Sequence, residues 1–292
     1  MRIGLAGLGH MGAPMAARLL AAGFDVGVYN RDVARAAPLV EAGARHAHSP
    51  QELAAGADVV VTVLFDDAAV EAVALGANGL AASMKPDAIH LSCSTISPAL
   101  ADRLEAAHRE RGQHCVSAPL LGSAAMARAG SLYLAASGPD AAIERLGPVF
   151  SAIAQQTKIV GDRPRHAAVA KLANNFLIFA LTEAIAEALA FAESSGLSRA
   201  AMMELLWDTD FGRRIFAVYG RKVLEHDFEP PTAPTRLALK DIGLAIAHAE
   251  ACGASMPMAL FARDRLEKTL ARGWGDLDFA AVALLADAES RR

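Results

Sequence analysis

The chain has 292 residues, of which 53% are hydrophobic, and its formal net charge is −4. This length suits one large domain or two ordinary ones, and the apolar content is ample for a packed core. The absence of any block of basic residues argues against a nucleic-acid partner.

The first part of the chain alternates short β-like runs with helical patterns. Helical segments such as MGAPMAARLLAAG, VARAAPLVEAG and SPALADRLEAAHRERG separate the strands. This alternation predicts an α/β domain with a doubly wound parallel sheet and right-handed crossovers. The predicted strands are IGLAGLG, FDVGVYN, ADVVVTVLF, DAIHLSC, QHCVSAP, LYLAASG and TKIVG.

A glycine-rich loop follows the first strand, in GLAGLGHMGAPMA. Gly7 permits a tight turn, Gly9 leaves room for a pyrophosphate against the backbone, and Gly12 lets the next helix pack on the strand. The N-terminus of that helix attracts phosphate charge. Because strand, glycines, helix and second strand come in this order, the loop predicts dinucleotide binding. The residues assigned to the cofactor are Gly7, Leu8, Gly9, His10, Met11 and Gly12.

The end of the second strand, Tyr29-Asn30-Arg31-Asp32, indicates which dinucleotide binds. An NAD site usually has an acidic residue there, which binds the ribose 2′-hydroxyl. Asn30 does not repel a phosphate, and Arg31 can pair with a 2′-phosphate and stack on adenine. These two cofactor residues favour NADP(H) and leave NAD(H) possible. Asp32 argues against NADP(H) unless it caps the following helix and points away from the phosphate.

The strands stop after Gly161, and the rest of the chain is helical in pattern. This predicts a dinucleotide-binding domain over residues 1–161 and an all-α domain over residues 162–292. The first helix of the second domain is predicted from about Pro164 to Ser195, which at about 1.5 Å per residue is about 45 Å long. A helix so long and apolar is expected to lie between domains or subunits, which predicts a homo-oligomer, a dimer or tetramer.

A polar cluster interrupts this apolar helix in KLANNFL, residues 171–177. Lys171 lies three residues before Asn174 and four before Asn175, so each asparagine shares a helical face with the lysine. A lysine in an apolar crevice, where desolvation disfavours the ammonium, can give a proton to a carbonyl oxygen as hydride reaches the carbon. An amide beside it can orient the same oxygen. On spacing alone, a surface lysine with asparagines that bond across a subunit contact is an equal alternative.

Together these motifs resemble the β-hydroxyacid dehydrogenases, the family of 3-hydroxyisobutyrate dehydrogenase. The resemblance implies a Rossmann domain, an all-helical domain and an active site between them. It implies that Lys171 is the general acid/base and Asn175 its partner, that Thr95 and Lys240 contact the cofactor, and that Asp241 lies near nicotinamide or substrate. The C-terminal SMPM and GWGDLDFAAV look most like the glyoxylate/succinic semialdehyde reductase branch. The remaining matches are GLGHMGAPMAARLL, VYNRD, SCSTISPALADRL, SAPLLGSAAMARAGSLYLAASG, KLANNF and ALKDIGLA.

The substrate loop departs from the family pattern. Where the family usually has D-A-P-V-S-G-G, this chain has SAPLLGS over residues 117–123. Leu121 replaces the serine that helps to hold a substrate carboxylate, although Gly122 and Ser123 keep their backbone N–H groups and one hydroxyl. Ala233 replaces a usual aromatic residue, so the pocket is predicted to be more apolar or roomier. The predicted substrate-binding residues are Leu121, Gly122, Ser123, Asn174 and Asp241. For Arg163, Arg165, Arg213 and Arg214, a replacement anion contact is conceivable, but a solvated surface position is the plainer interpretation.

Three functions remain open at this stage. The first is an NADPH-dependent reductase of a short aldehyde or a keto or semialdehyde acid, or the reverse oxidation of a hydroxy acid, with Lys171 as general acid/base. The second is an imine reductase or reductive aminase, which the retained lysine disfavours and which Leu121 and Ala233 leave open. The third is a non-catalytic dinucleotide-binding scaffold, which would be expected to lose the lysine.

The cysteines and the hydropathy pattern complete the expectations. Cys93, Cys115 and Cys252 are widely spaced and form no CxxC pair, which argues against a disulfide framework or a zinc site and predicts a cytoplasmic location. No apolar run is expected to reach the roughly 18 to 20 residues of a membrane span, so no membrane partner is predicted. The predicted partner is a small-molecule substrate.

Overall fold

The computed structural model describes residues 1–194, 196–208, 219–253 and 255–290. The chain divides into two compact units, Met1–Lys171 and Leu172–Arg292. The boundary predicted near residue 161 lies at the end of the last strand, whereas the division by packing falls inside the helix that follows.

The first unit contains a nine-stranded sheet in the order β3-β2-β1-β4-β5-β6-β8-β7, with β9 paired to β8. Neighbouring strands from β3 through β6 are parallel, which confirms the predicted doubly wound α/β class. Strand β8 differs from the prediction because it runs antiparallel to β6 and β7. The strands are β1 (Arg2–Ala6), β2 (Asp25–Tyr29), β3 (Arg45–His46), β4 (Val59–Thr62), β5 (Ile89–Ser92), β6 (His114–Ser117), β7 (Leu120–Leu121), β8 (Leu132–Ser137) and β9 (Ala154–Gly161).

Helices cover both faces of this sheet because its central strands are apolar on both sides. Val59 and Val61 face one apolar cluster, and Val60 between them faces the other. Burial of each such side chain stabilises the fold by about 1.5–3 kcal/mol. The helices are α1 (Gly12–Ala21), α2 (Ala37–Glu41), α3 (Pro50–Ala54), α4 (Asp67–Leu75), α5 (Leu80–Ser83), α6 (Pro98–Arg109), α7 (Ala124–Ala129), α8 (Asp140–Arg145) and α9 (Gly147–Ile153), with a 3₁₀ helix over Val33–Ala36.

Helix α10 (Pro164–Ser194) begins at the predicted proline, and Ser195 lies outside the described residues. The expectation that no segment is long and apolar enough to cross a membrane is wrong for this helix. Pro164–Ala186 meets both criteria, with a mean hydropathy of 1.3. One such helix is weak evidence for a membrane span, because a helix in a protein core passes the same test.

The second unit is helical in every regular element that its described residues form, as predicted. Two apolar clusters hold it together, one around Leu189 and Met203 and the other around Phe179 and Leu266. Its elements after α10 are α11 (Arg199–Asp208), a helical segment at residues 219–225 (α12), α13 (Thr235–Cys252), α14 (Pro257–Ala271), a 3₁₀ helix (Phe279–Val282) and α15 (Ala283–Ser290).

Candidate active site

The glycine loop between β1 and α1 has the backbone that a close phosphate contact requires. Gly7 has a φ of +102°, and a Cβ there would lie 2.2 Å from the Val63 carbonyl oxygen. A Cβ on Gly12 would lie 1.9 Å from the Gly7 carbonyl oxygen, so both positions exclude side chains. At Gly9, by contrast, a Cβ would meet no atom within 4 Å. The backbone at Gly9 is therefore open to a ligand at the N-terminal end of α1.

The Asn30 side chain forms hydrogen bonds within the protein through both its oxygen and its nitrogen. Its Oδ1 accepts a 2.9 Å hydrogen bond from the Leu8 backbone N–H, and its Nδ2 donates a 2.9 Å bond to the Asp32 carbonyl oxygen. The Gly7 N–H also donates to the Tyr29 carbonyl oxygen at 2.9 Å. The glycine loop is thus fixed to the end of β2 by two bonds, one of which is accepted by Asn30, a side chain predicted to contact the cofactor.

The two residues after Asn30 have different roles: Asp32 caps a helix, whereas Arg31 is exposed. The Asp32 carboxylate caps the 3₁₀ helix by accepting from the Ala34 N–H, which confirms the capping role considered for it. Asp32 also lies 3.5 Å from the Arg35 guanidinium. Arg31 is exposed, and within the described parts of the chain no ion pair holds it. Its guanidinium is therefore available to an anion at this end of β2.

Thr95 lies in the loop after β5, at the same sheet edge as the glycine loop. The carboxyl ends of parallel strands β1, β4 and β5 meet at this edge, which is where open α/β sheets bind ligands. In the neighbouring loop, the Asp66 carboxylate caps α4 by accepting a 2.8 Å bond from the Ala69 N–H. Cys93, close to Thr95, is buried, and burial raises its thiol pKa to about 12, so it offers no thiolate near neutral pH.

Lys171 is joined to the predicted substrate loop. Its Nζ donates a 2.7 Å hydrogen bond to the carbonyl oxygen of Leu120, which lies within the loop. Leu121 is half-buried, and Gly122 has a φ of +142°, a conformation that favours glycine. The Ser123 hydroxyl accepts a long, 3.4 Å bond from the Met126 N–H and so caps α7. The lysine amine therefore lies beside a loop that presents an apolar side chain, a glycine and a hydroxyl.

The two described arginines proposed as alternative anion contacts are already paired. Arg163 contacts Asp102 and Glu105 on α6 at 3.1 and 2.9 Å, and Arg165 contacts Asp102 at 2.9 Å. These ion pairs fasten the start of α10 to α6, so the surface interpretation holds for both. Arg213 and Arg214 lie outside the described residues.

In the second unit, Asn175 is bound to a buried carboxylate. Its Nδ2 donates a 2.6 Å hydrogen bond to Asp241 Oδ2, and both side chains are buried. The Lys240 ammonium forms an ion pair with Asp241 Oδ1 at 2.7 Å. Among the described residues, the one hydrogen bond of the Asn174 side chain is a long, 3.5 Å contact to the Asn175 Oδ1. Ala233 packs against the apolar cluster around Phe179.

The structure thus gathers the predicted residues into two sets. The first unit holds the glycine loop, the end of β2, the Thr95 loop, the loop at residues 121–123 and Lys171. The second unit holds Asn174, Asn175, Lys240 and Asp241.

A buried chain of polar side chains, which the sequence did not predict, starts at the end of β4. Thr62 Oγ1 lies 3.0 Å from His90 Nε2, His90 Nδ1 lies 2.9 Å from His108 Nε2, and His108 Nδ1 lies 2.7 Å from Gln113 Oε1. The Gln113 amide donates to the Ala81 and Met84 carbonyls, so a single direction of donation, from threonine to glutamine, satisfies every group. In the sequence these residues are recognisable only as polar residues in otherwise apolar segments, which does not show which of them form hydrogen bonds with each other.

Two family models match the chain. The NAD binding domain of 6-phosphogluconate dehydrogenase matches residues 2–161, and the NAD-binding domain of NADP-dependent 3-hydroxyisobutyrate dehydrogenase matches residues 166–286. Together these matches include both units.

Similar proteins extend over nearly the whole chain. NAD-dependent L-serine dehydrogenase of Pseudomonas aeruginosa is 35% identical over 98% of this chain and 98% of its own. Glyoxylate/succinic semialdehyde reductase 1 of Arabidopsis thaliana is 30% identical over 97% of each chain. The structure of Mycobacterium tuberculosis 3-hydroxyisobutyrate dehydrogenase with L-serine has a TM-score of 0.88 and is 30% identical, covering 97% of this chain and 98% of that one.

Proposed function

The chain belongs to the β-hydroxyacid dehydrogenase family and is an NAD(P)-dependent dehydrogenase or reductase; from this premise we propose that it reduces a short aldehyde or a keto or semialdehyde acid with NADPH, or oxidises the matching hydroxy acid. The observation that carries the proposal is the hydrogen bond from Lys171 to Leu120, which holds an amine beside the predicted substrate loop. An amine so placed suits proton exchange with a carbonyl or hydroxyl oxygen.

The residues of the first unit fit a dinucleotide. The open backbone at Gly9 and the N-terminus of α1 suit the pyrophosphate, and the available Arg31 guanidinium suits a 2′-phosphate. Asn30 supports this site by holding the loop at Leu8. When bound, the nicotinamide supplies or accepts the hydride.

Each chemical task then falls to a particular group. Lys171 gives its proton to the substrate oxygen in reduction and takes it back in oxidation. The N–H groups of Gly122 and Ser123, with the Ser123 hydroxyl, hold the carboxylate of an acid substrate. Asn175, held by Asp241, has its amide orientation fixed and so acts as a rigid polar contact. No group in this scheme needs a metal ion or a covalent intermediate.

The preference for NADPH is the finer part of the proposal. It is supported by the exposed Arg31 and by Asp32, whose carboxylate is occupied as a helix cap and beside Arg35. One relative, the L-serine dehydrogenase, is named NAD-dependent, so membership of the family does not by itself support NADPH. The proposed preference therefore rests on residues 30–32 of this chain. Parallel titrations with NADPH and NADH test it directly.

The substrate test is a panel assay. NADPH oxidation should be followed with glyoxylate, succinic semialdehyde, methylmalonate semialdehyde, tartronate semialdehyde, an apolar aldehyde and a cyclic imine, and NADP⁺ reduction with L-serine and 3-hydroxyisobutyrate. Turnover of an acid substrate that is lost in Lys171→Ala supports the proposal. Turnover confined to the cyclic imine would replace it with the second candidate, an imine reductase, which the half-buried Leu121 favours.

We also propose a homo-oligomer in the cytoplasm. Large apolar side chains are exposed on two helices of the second unit, including Leu177 at 65% and Met258 at 53%. Such exposure is expected where a helix face contacts another subunit. Light scattering at micromolar concentration should give a dimer or tetramer, and a monomer would contradict this part. The location rests on the three separated cysteines, and fractionation of the source cells tests it.

A further inference from the structure

Two loops at the carboxyl edge of the sheet are joined at several points. The loop after β4 and the loop after β5 run side by side, because Thr62 pairs with Ser92 in the parallel ladder. Beyond the strands, the Leu64 N–H donates a 2.8 Å hydrogen bond to Ser94 Oγ. The Ser94 hydroxyl in turn makes a long, 3.4 Å contact to the Thr62 carbonyl oxygen. The residue immediately before Thr95 is therefore fixed to the β4 side.

The residue two positions after Thr95 is fixed to the same side by a carboxylate. Asp67 Oδ1 accepts a 2.9 Å hydrogen bond from the Ser97 backbone N–H, and its Oδ2 accepts a 2.5 Å bond from the Ser97 hydroxyl. Ser97 Oγ also accepts from the Leu100 N–H at 3.1 Å, which caps α6. Asp67 is the first residue of α4, so one carboxylate joins the start of α4 to the start of α6.

We propose that Asp67 is a positioning residue of the active site, which holds the Thr95 loop in place for the bound dinucleotide. This inference rests on the proposed function, in which Thr95 contacts the cofactor. Thr95 lies between two anchored serines, so its backbone has little freedom. At this anchor both carboxylate oxygens of Asp67 accept from Ser97, one from its N–H and the other from its hydroxyl. An asparagine at this position would present an N–H to one of these donors.

A second bridge between the same helices provides a matched control. Arg103 on α6 donates to both carboxylate oxygens of Glu71 on α4, at 3.0 and 2.5 Å. Both side chains are exposed, and they lie one to two turns along their helices from the Thr95 loop. Glu71→Gln weakens the attachment of α4 to α6 without touching Ser97. A difference between Asp67→Asn and Glu71→Gln therefore reports on the loop and not on helix packing in general.

The experiment compares D67N, E71Q, T95A and D67N/T95A in steady-state NADPH oxidation with the best substrate of the panel, with melting temperatures for each. D67N is expected to lower kcat about tenfold to a hundredfold, as for an active-site group displaced by about 1 Å. The hydride isotope effect measured with 4-deuterated NADPH should rise as hydride transfer becomes more limiting. E71Q should stay within about twofold of the parent. In the T95A background, D67N should have less than about a twofold further effect, since residues that act together are not additive.

Three outcomes would overturn the inference: an unchanged kcat in D67N, an equal loss in E71Q, or a full additional loss in the double variant. If T95A itself keeps normal kinetics, the cofactor contact assigned to Thr95 fails together with this inference. If T95A is impaired but D67N is not, only the inference fails. Should D67N not fold, Ser97→Ala tests the same anchor, and Ser97→Thr, which keeps the hydroxyl, should restore kcat.

Discussion

The Lys171 ammonium donates a 2.7 Å hydrogen bond to the carbonyl oxygen of Leu120, a residue 51 positions earlier in the chain. This bond connects the long helix α10 with the short strand β7, which lies within the predicted substrate loop. It fixes the amine at the residue before Leu121, one of the positions that depart from the family pattern. The proposed proton donor and the proposed specificity position are therefore neighbours, which makes the lysine and the loop the first targets for mutation.

Lys171→Ala should lower kcat about 10²- to 10⁴-fold, the range expected for loss of a general acid. NADPH affinity, measured by fluorescence titration, should change less than about twofold because the dinucleotide residues lie elsewhere in the unit. Lys158→Ala, at an exposed lysine on β9, is the control and should behave like the parent. Near-normal turnover in Lys171→Ala would remove the proton-donor assignment.

Leu121→Ser should raise kcat/KM for glyoxylate or succinic semialdehyde, because it restores a hydroxyl to the substrate loop. One hydrogen bond to a charged group is worth about 1.5–3 kcal/mol, so a gain of about tenfold to a hundredfold is expected. Ser123→Ala is the companion variant. If Leu121→Ser gives no gain and Ser123→Ala abolishes acid turnover, the carboxylate contact has moved to Ser123.

Arg31→Ala should raise the KM for NADPH about tenfold to a hundredfold and leave the KM for NADH nearly unchanged, because only NADPH carries the 2′-phosphate. The control is Arg35→Ala, an exposed arginine that lies beside Asp32. Equal losses with both cofactors in Arg31→Ala would show that the guanidinium does not read the 2′-phosphate.

Asn30→Ala should weaken NADPH and NADH binding by similar factors, because it releases the glycine loop at Leu8 instead of removing a phosphate contact. Asn30→Asp keeps an acceptor for the Leu8 N–H but loses the donor to the Asp32 carbonyl. It should favour NADH, because a carboxylate there repels a 2′-phosphate and suits a ribose hydroxyl. A loss confined to NADPH in Asn30→Ala would show a direct phosphate contact.

The buried histidine pair should make stability fall at mildly acidic pH. Burial holds the pKa of His90 well below its usual 6.5 and lowers the pKa of His108 to about 4. Below pH 6.5 the unfolded chain therefore binds protons that the folded protein does not, so stability is complete above pH 6.5 and decreases as pH falls toward 4. Each histidine contributes up to about 1.4 kcal/mol per pH unit to this loss.

Urea unfolding at pH 7.5, 6.0 and 5.0 measures this dependence. His108→Gln removes one group whose pKa is lowered by burial, and it should therefore reduce the slope. A stability that is flat from pH 7.5 to 5.0 would contradict the prediction.

Local sequence determined the class of fold and the dinucleotide loop. Gly7, Gly9 and Gly12 are readable without a structure because a tight turn and a close helix start constrain residues that are adjacent in the chain. The alternation of strands and helices fixed the doubly wound sheet for the same reason. The two-residue strands β3 and β7 were not foreseen, since so short a strand has no period, and the antiparallel direction of β8 depends on pairing that no local pattern records.

Tertiary structure alone decided which polar groups meet. Spacing placed Lys171 and Asn175 on one helical face, but it did not show that the lysine binds Leu120 or that the asparagine binds Asp241. The position of Asn30 at the end of the second strand predicted a cofactor contact, but it did not show that the Asn30 Oδ1 accepts a hydrogen bond from Leu8 in the glycine loop. These partners lie 22 to 66 positions apart in the chain. Their pairing follows from the packing of whole elements, because a buried polar group must find its partner wherever the fold brings one.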